Sequence, residues 1–453
     1  MPAPTSPPRG SAGRKPRVRT TGPQDTAGTD ARAGGSGPSR ARAESSARPA
    51  AQRRPARRGG AGKKTAGDRP MARLWRMVEG DADTGGNAGY YMILGSALAL
   101  TLIGLLMVLS SSAVEAISSE TSSYALFMKQ GVWALAGCGL MVLMSRLPVA
   151  TMKRLAWPGI GLALFLLLLV FTPLGISVYG NRNWIGIGGF TAQPSEAAKL
   201  ALAVWAAMML AKKGRLVNQT AHALIPVVFP GGAAVLALVL AGRDLGTGLV
   251  LILILVAALF FGGARLRIFG VAAGVAALGA IVMVLVSGNR MGRINAWLGI
   301  DCGANDACYQ SRQGLYALAS GGWWGVGLGQ SRQKWNYIPE AENDFIFAII
   351  GEELGLIGTT VIIALFGILA VAMYRVAVRH SDPFVRIATG GIMAWLIGQA
   401  FVNIGMVTGL LPVIGVPLPF ISYGGSALTF ALMAVGVVLC FARQRPAPPD
   451  AAS

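Results

Sequence analysis

The sequence predicts an all-α polytopic membrane protein with ten transmembrane helices. Of its 453 residues, 53% are hydrophobic and only 13% are charged, a composition too apolar for a soluble chain of this length. The chain also contains ten apolar runs of about 20 residues, the length that an α-helix needs to cross a bilayer. In addition, Lys and Arg residues collect in alternate connecting segments, as in a chain that crosses a membrane repeatedly.

The first 80 residues differ in composition from the rest. They carry 18 Lys and Arg against 5 Asp and Glu, a local net charge of +13, and are rich in Pro, Gly, Ala and Ser. Such a segment lacks the apolar surface that offsets ordering entropy, so we expect residues 1–80 to form a disordered basic tail. Its charge favours anionic lipid headgroups over a protein partner as its ligand. No nucleic-acid binding is expected, because aromatic residues are not interleaved with the basic ones.

The membrane domain is predicted over residues 81–443, with a short second tail at 444–453. The ten helices are predicted at residues 90–110, 127–145, 156–176, 196–211, 224–241, 247–263, 268–288, 344–374, 384–410 and 419–442. The basic connecting residues are Arg146, Lys153, Arg154, Lys212, Lys213, Arg215, Arg265, Arg267, Arg375, Arg379, Arg386, Arg443 and Arg445. All of them fall on the side of the basic tail, so the positive-inside rule puts both termini in the cytoplasm. One large polar loop, 289–343, then lies outside the cytoplasm between helices seven and eight.

Two of the four cysteines lie in this loop. Cys302 and Cys308 bracket five small or polar residues, and an extracytoplasmic location favours a local disulfide between them. A zinc site is not expected, because His and further Cys residues are missing nearby. Cys138 and Cys440 lie in apolar helices and are interpreted as small hydrophobic residues.

Asp344 is the candidate catalytic residue. It stands where the polar loop gives way to helix eight, and a carboxylate at the membrane surface can accept a proton from a substrate tethered to lipid. As the first residue of that helix it can also act as an N-cap, and the two roles are compatible. Farther along, Glu352 and Glu353 lie inside a span, so we expect at least one of them to pair with a basic group.

Two further motifs carry charge at the predicted outer face. Glu196 and Lys199 are three residues apart near a helix start, so they can form an ion pair. Alternatively, Lys199 holds an anionic headgroup together with Arg182. In the turn Arg243-Asp244, the two charges either neutralise each other or bind phosphate through Arg243, with Asp244 orienting it or binding a cation.

Glycine, tryptophan and proline mark the remaining motifs. Residues 321–329 combine five glycines with Trp323 and Trp324, a pattern typical of tight turns with aromatic rings at the membrane interface. Three prolines within residues 412–419 predict a break in the helix near the outer surface, where irregular backbone lines a cavity or is buried in protein.

These motifs together resemble the FtsW/RodA (SEDS) family over about residues 90–443. The shared stretches are Gln193–Glu196, Arg243–Thr247, Pro339–Phe347, Gly351–Gly355 and Pro417–Gly425. The resemblance implies a ten-helix fold that polymerises lipid II into glycan strands, with Asp344 at the position of the essential aspartate. The stretch from Lys334 to Ala341 is more similar to the division branch, FtsW, than to the elongation branch, RodA.

The same motifs supply the residues that we expect to bind substrate. They are Arg182, Trp184, Glu196, Lys199, Asp244, Lys334, Glu340 and Ser422. Two positions depart from the family pattern: Ile414 replaces a lysine found in some division members, and Arg243 replaces a proline. A Mg2+ or Mn2+ ion is compatible with pyrophosphate chemistry, but the sequence contains no compact His or carboxylate cluster that marks a metal site.

The favoured mechanism is an inverting glycosyl transfer. Asp344 deprotonates the 4-hydroxyl of the acceptor sugar, while Arg182, Lys199 and Lys334 stabilise the departing pyrophosphate. A lipid II flippase is the main alternative, although transporters usually place charges near the membrane midplane. Non-catalytic scaffolding is a third reading.

The family resemblance also implies partners and a location. The partners are a class B penicillin-binding protein, which is a transpeptidase, and other division proteins. The expected location is the bacterial plasma membrane at the division septum.

Overall fold

The computed structural model describes residues 85–118, 124–178, 181–187, 190–286, 295, 297–300, 306–335, 338 and 341–443. Both predicted tails and Glu340 lie outside these residues. The α-helices are α1 (Gly85–Ser118), α2 (Tyr124–Arg146), α3 (Val149–Leu169), α4 (Pro194–Lys213), α5 (Thr220–Leu224), α6 (Ala233–Ala241), α7 (Leu245–Phe261), α8 (Leu266–Val286), α9 (Asp306–Ser320), α10 (Ile346–Arg379), α11 (Pro383–Val407) and α12 (Gly425–Arg443). A 3-10 helix (Gly214–Asn218) and a π-helix (Val227–Gly232) flank α5.

Seven helical segments in the described part of the chain are long and apolar enough to cross a membrane. They are Ala88–Ser111, Leu126–Arg146, Val149–Leu169, Thr220–Ala241, Ile346–Arg379, Pro383–Val407 and Gly425–Arg443. Each coincides with a predicted span. The other three predicted spans coincide with α4, which carries four charged residues, and with the shorter apolar segments Leu245–Phe261 and Leu266–Gly279. The protein is therefore a multi-pass membrane protein, and the count of ten crossings stays a prediction.

Within the described residues, the prediction of an all-α fold is wrong at one sheet. Strands β1 (Gly175–Val178), β2 (Asn181–Ile187) and β3 (Phe190–Ala192) form an antiparallel sheet in the order β1-β2-β3. Two residues separate each pair of strands, and the second pair is separated by two glycines, which is a hairpin signal. The predicted third helix was accordingly drawn too far along the chain, since α3 ends at Leu169.

The polar loop 289–343 has regular structure of its own. It contains α9, which packs against α10. Beyond α9 the chain folds back into the protein, because Ser331 and Lys334 are buried. The predicted break in the proline-rich segment is confirmed: residues 408–424 form turns and irregular structure between α11 and α12.

Helices α4 and α11 lie at the centre of the bundle. They pack against each other, α11 also packs against α7 and α10, and α4 also packs against α3 and α7. Trp395 of α11 and Leu202 of α4 are among the largest fully buried side chains. Close packing of this kind leaves little freedom for side chains that project from α4 and α11 toward the ends of the bundle.

Helix α10 is interrupted at Gly355, whose backbone (φ 67°, ψ −165°) is not helical. Segment 322–327 docks against the interruption through backbone hydrogen bonds. Their donors and acceptors are Val326 N to Glu352 O (2.9 Å), Gly327 N to Glu353 O (3.1 Å), Leu356 N to Gly322 O (2.9 Å) and Ile357 N to Trp323 O (3.3 Å). The glycine-rich segment thus satisfies backbone groups that a continuous helix would pair internally. Trp323 and Trp324 remain exposed.

Candidate active site

Asp344 lies two residues before the start of α10, in a segment whose backbone carbonyls accept hydrogen bonds from other parts of the protein. The N-cap position of α10 belongs to Phe345, so the prediction that Asp344 itself begins the helix is wrong by two residues. The Nδ2 of Asn403 donates to the carbonyl of Asp344 (2.8 Å), and the hydroxyl of Ser422 donates to the carbonyl of Asn343 (2.6 Å). Two different elements therefore fix the backbone that carries the carboxylate.

The carboxylate of Asp344 faces the proline-rich loop between α11 and α12. A Cβ built on Gly415 would lie 3.3 Å from Oδ2 of Asp344, and Gly415 has a positive φ of 76°. On the other side of this turn, a Cβ on Gly246 would lie 2.9 Å from the carbonyl oxygen of Gly415. The turn at Gly415 therefore separates Asp344 from the beginning of α7. Glycine at both positions permits the close approach.

Asp244 is the N-cap of α7. One carboxylate oxygen accepts from the backbone N–H of Thr247 (2.9 Å) and the other from its hydroxyl (2.8 Å). The second oxygen also accepts from Asn183 of β2 (3.1 Å) and from Gln193 (3.0 Å). Asp244 thus joins the sheet, the start of α4 and the start of α7. Arg243 is exposed, and no ion pair between it and Asp244 is found within the described residues.

Arg182 and Trp184 lie on β2, beside the Asp244 cap. The backbone N–H of Arg182 donates to the carbonyl of Gly242 (3.0 Å), which ties β2 to the turn before α7. One terminal nitrogen of its guanidinium donates to the carbonyl of Thr172 (2.8 Å), and the residue is exposed. Trp184 is half-buried. Arg182 therefore presents further N–H donors toward solvent, as a phosphate contact requires.

Glu196 and Lys199 form the expected ion pair in the first turns of α4. Nζ of Lys199 lies 2.8 Å from Oε1 of Glu196, and the side chains of Lys199 and Glu196 are 2% and 4% exposed. The ammonium also donates to Oε1 of Gln399 (3.0 Å) and lies 5.0 Å from the ring centre of Trp395. Burial of both charges is tolerated because they neutralise each other and Lys199 has a further hydrogen-bonding partner in Gln399. A cleft lined by Glu196, Gln399, residues 417–420 and Ser422 lies next to this pair.

Lys334 is paired with Glu353, which confirms the expectation that one of the two adjacent glutamates has a basic partner. Its Nζ lies 3.1 Å from Oε1 of Glu353 and donates to the carbonyls of Gly329 (2.8 Å) and Ser110 (3.1 Å). The hydroxyl of Ser110 in turn donates to Glu353. The lysine and glutamate side chains are 3% and 0% exposed. The ammonium of Lys334 is therefore directed into the protein.

Glu352 holds the same part of the loop by different means. It accepts from the hydroxyl of Ser331 and from the backbone N–H groups of Arg332 (3.0 Å) and Gln333 (3.3 Å). A buried carboxylate is stabilised when several N–H and O–H donors converge on it. Glu352 and Glu353 together fasten residues 329–334 to the first half of α10.

Two predicted site residues remain to be placed. Ser422 accepts from the backbone N–H of Leu418 (2.7 Å) while it donates to Asn343, so it joins the proline-rich loop to the Asp344 segment. Cys308 is disulfide-bonded, and Cys138 and Cys440 are free. Cys302 lies outside the described residues, as Glu340 does, so the pairing of Cys302 with Cys308 stays a prediction.

Four amide side chains of the site were missed in the sequence. Asn183 and Gln193 hold the carboxylate of Asp244, while Gln399 and Asn403 hold the proline-rich loop. Amides in apolar helices are unusual enough to have drawn attention to the last two. Nothing in the local sequence indicates which carbonyls they would bind.

The chain matches the model of the FtsW/RodA/SpoVE family, described as "Cell cycle protein", over residues 90–446. It is 40% identical over 358 residues to the "Probable peptidoglycan glycosyltransferase FtsW" of Mycobacterium tuberculosis, covering 79% of this chain and 68% of that protein. It is 41% identical over 350 residues to the protein of the same name in Geobacter sulfurreducens, covering 77% and 93%. With the stage V sporulation protein E of Bacillus subtilis it shares 38% identity over 347 residues, covering 76% and 94%.

Two solved structures have a similar fold. One belongs to a peptidoglycan synthase complex described as coordinating polymerization and crosslinking, with a TM-score of 0.63 and 26% identity, covering 78% of this chain and 96% of that chain. The other is the rod shape determining protein RodA of Thermus thermophilus, with a TM-score of 0.57 and 26% identity, covering 78% and 96%.

Proposed function

Because this chain is a member of the FtsW/RodA/SpoVE family, we propose that it is a peptidoglycan glycosyltransferase that polymerises lipid II during cell division. Its relatives in Mycobacterium and Geobacter bear the name of that activity. The observation that carries the proposal is the position of Asp344, whose backbone is held by Asn403 and whose carboxylate faces the turn at Gly415. A fixed carboxylate beside a loop of irregular backbone suits a general base that acts on a bound sugar hydroxyl.

In the proposed reaction, the carboxylate of Asp344 takes the proton from the 4-hydroxyl of the acceptor sugar. The oxygen attacks the anomeric carbon of the growing strand with inversion, and the bond from that carbon to the lipid pyrophosphate breaks. Arg182 is the exposed cation of the three expected to stabilise the leaving pyrophosphate. The same role for Lys199 and Lys334 requires their ammonium groups to leave buried ion pairs, which costs free energy.

A divalent cation, Mg2+ or Mn2+, remains part of the proposal. The described residues hold no group of three or more His, Cys, Asp and Glu side chains that would form a metal centre. Magnesium is commonly held by one or two carboxylates together with phosphate oxygens of the substrate. Any such ion would therefore enter with the pyrophosphate and contribute positive charge as that group departs.

The membrane arrangement is proposed from the charge pattern. Ten crossings with both termini in the cytoplasm place Asp344, Arg182 and Asp244 at the outer face, where lipid II and the nascent strand would be reached. A class B penicillin-binding protein is the proposed crosslinking partner. The similar chain from a synthase complex that coordinates polymerization and crosslinking supports a partner of this kind. We further propose that the protein acts with other division proteins at the septum of the plasma membrane.

The test is polymerisation of labelled lipid II by purified protein, alone and with its transpeptidase. Asp344→Asn keeps the size of the side chain and removes the base, so glycan product should fall by at least about 10²-fold. Asp382→Asn is the matched control. Asp382 is the N-cap of α11 and pairs with Lys153, so it lies at the end of α11 opposite to the end that carries Asn403. That variant should keep most activity.

Near-normal product from a well-folded Asp344→Asn protein would exclude Asp344 as the base. Flipping of lipid II in vesicles without polymerisation by the native protein would instead favour the transporter alternative.

A further inference from the structure

Gln399 and Asn403 lie one helical turn apart on α11, and their amides point at the same loop. Nδ2 of Asn403 donates to the carbonyl of Val416 (2.7 Å), and Nε2 of Gln399 donates to the carbonyl of Pro417 (2.8 Å). The exposed fractions of Asn403 and Gln399 are 0% and 3%. Residues four apart on a helix project from one face, so the two amides bind consecutive carbonyls of the proline-rich loop.

Asn403 has a second hydrogen bond, and it is to the segment that carries the proposed base. The same Nδ2 donates to the carbonyl of Asp344 (2.8 Å). Both N–H groups of the amide are thus used for backbone carbonyls, which fixes the orientation of the side chain. Its Oδ1 is buried and has no hydrogen-bond partner within the described residues. An unpaired buried acceptor costs free energy. At Asn403 this cost occurs together with two hydrogen bonds that the same amide donates to two separate segments.

The two carbonyls that Asn403 binds belong to two segments that approach each other closely, the Asp344 segment and the proline-rich loop. In the loop, Val416 follows Gly415, the residue whose Cβ position is 3.3 Å from Oδ2 of Asp344. The amide of Asn403 therefore ties the loop directly to the residue that carries the carboxylate. Ser422 joins the loop to the same segment from its other end, since it accepts from the N–H of Leu418 and donates to the carbonyl of Asn343.

Gln399 extends this arrangement to the ion pair on α4. Its Oε1 accepts from Nζ of Lys199 (3.0 Å) and from the indole of Trp395 (3.0 Å), while its Nε2 holds Pro417. A buried chain of hydrogen bonds therefore runs from Glu196 through Lys199 and Gln399 to the loop. Such connected networks specify one arrangement of the segments that they join.

We infer that Asn403 is a positioning residue for Asp344, and that Gln399 supports it by holding the next carbonyl of the loop. The inference rests on the proposed function, because it gives Asn403 a role only through the general base. It adds to that function two residues that hold the loop beside the base.

The test is a double-mutant cycle on purified full-length protein with labelled lipid II. Asn403→Leu has a similar volume and removes both donors. We expect kcat to fall on the order of 10- to 100-fold, because small displacements of a catalytic group have effects of this size. KM for lipid II should change less than about twofold, since Asn403 is not placed in contact with substrate. Gln399→Leu should give a smaller loss of kcat.

The decisive comparison uses Asp344→Asn as the background. If Asn403 acts through Asp344, the double variant should be no slower than Asp344→Asn alone, because the base that Asn403 positions is already missing. A further loss of about 10-fold or more in the double variant would overturn the inference. Unchanged kcat in Asn403→Leu would overturn it as well.

Controls separate folding and the proposed function from positioning. Thr389→Val removes another fully buried polar group of α11, whose hydroxyl has no partner within the described residues. It should leave kcat unchanged. Should Asn403→Leu fail to fold, Asn403→Ala removes the same donors without added bulk and carries the same expectation. Normal activity of Asp344→Asn alone would refute the proposed base, whereas additive losses would refute the positioning role and leave the base standing.

Discussion

Gly325 and Gly355 approach each other so closely that neither position has room for a side chain. A Cβ on Gly355 would collide with the backbone nitrogen of Gly325, and a Cβ on Gly325 would collide with the carbonyl oxygen of Glu353. Both glycines also have positive φ angles, 80° at Gly325 and 67° at Gly355. The interruption of α10 and the glycine-rich segment are therefore one structural unit, and the first half of α10 is held in place by a loop that precedes it in sequence.

Gly355→Ala should consequently destabilise the protein by at least about 3 kcal/mol, because backbone strain and overlap with Gly325 add. Gly322→Ala is the control, since Gly322 has a positive φ of 54° but no atom within 4 Å of its Cβ position. It should lose only the about 1–2 kcal/mol of a left-handed conformation. Unfolding of both variants in detergent measures the difference. Equal losses would show that the close approach contributes nothing.

Lys334→Met should be strongly destabilising, because it leaves Glu353 as a buried carboxylate without its cation. A cost of about 3–5 kcal/mol is typical when one partner of a buried pair is removed. Adding Glu353→Gln should recover more than half of the lost stability. We expect lipid II polymerisation to recover with it, since the ammonium of Lys334 is directed at Glu353, Ser110 and Gly329.

The same double variant tests whether Lys334 contacts pyrophosphate. Stability that recovers without activity would show that the charge of Lys334 serves the reaction, and would contradict a purely structural role. Denaturant unfolding and product formation should therefore be measured on the same preparations.

The sequence predicted the helical elements well because they follow from long apolar runs. All ten predicted spans overlap helical segments, although the third was drawn past the end of α3. A long apolar run favours a helix because a helix satisfies its own backbone hydrogen bonds. The sheet was missed because its strands are short and lie between glycines, where hydropathy carries no signal. The break at Gly355 was also missed, because its cause is a loop some 30 residues earlier in the chain, whose approach no local pattern encodes.

The site was predicted residue by residue but not as an arrangement. The spacing of Glu196 and Lys199 on one helix predicted their ion pair, and the two side chains do form it. The partner of Glu353 was not identifiable, because Lys334 lies in a loop and reaches it only through tertiary folding. The partners of Asp244 were not identifiable either, because its carboxylate accepts hydrogen bonds from Asn183 on β2 and from Gln193, the residue before α4. Long-range hydrogen bonds of this kind depend on packing, which a single sequence does not display.

His380 predicts a pH dependence of stability. It lies in the connection between α10 and α11, and burial is the main reason that its pKa is lowered from the usual 6.5, with Lys153 adding to the effect and Asp382 opposing it. Its Nδ1 accepts from the backbone N–H of Asp382 (3.2 Å), which requires the neutral ring. Below about pH 6.5 the unfolded chain takes up a proton that the folded protein resists, so stability should fall as the pH decreases.

Thermal unfolding of the native protein and of His380→Asn between about pH 7.5 and 5.5 measures this effect. The asparagine oxygen can accept the same hydrogen bond and does not titrate. The native protein should lose more stability than the variant over this range, and the difference between the two curves removes the contribution of other groups. Parallel curves would mean that His380 does not contribute.

Cys302 and Cys308 should form a disulfide in the mature protein, since the proposed topology places both outside the cytoplasm. Alkylation of the denatured protein without reductant, followed by mass spectrometry, should modify Cys138 and Cys440 only. With reductant, all four cysteines should react. Alkylation of Cys302 without reductant would contradict the pairing, and Cys308→Ser provides the control in which Cys302 must become reactive.

Lys199→Met should lower lipid II turnover, because it removes the charge while the apolar stem is kept. The change leaves Glu196 buried without its partner and removes the hydrogen bond to Gln399, which holds the proline-rich loop. Adding Glu196→Gln should restore stability but turnover only in part. The second substitution corrects the charge imbalance, yet it replaces neither the bond to Gln399 nor the positive charge available to a phosphate.

The matched control is Lys153→Met, which removes a lysine from a partly exposed ion pair with Asp382. Exposed pairs contribute at most about 1 kcal/mol, so turnover should stay near the native value. Full recovery of turnover in the Lys199→Met/Glu196→Gln protein would show that Lys199 serves the ion pair alone. Partial recovery of turnover with normal stability would show that Lys199 also acts through its hydrogen bond to Gln399, which holds the loop, or through a phosphate contact. Adding Gln399→Leu to the Lys199→Met/Glu196→Gln protein, and comparing it with Gln399→Leu alone, separates these two. The loss at the loop is then present in both proteins and the charge imbalance is corrected, so only a phosphate contact of Lys199 would make the triple variant slower.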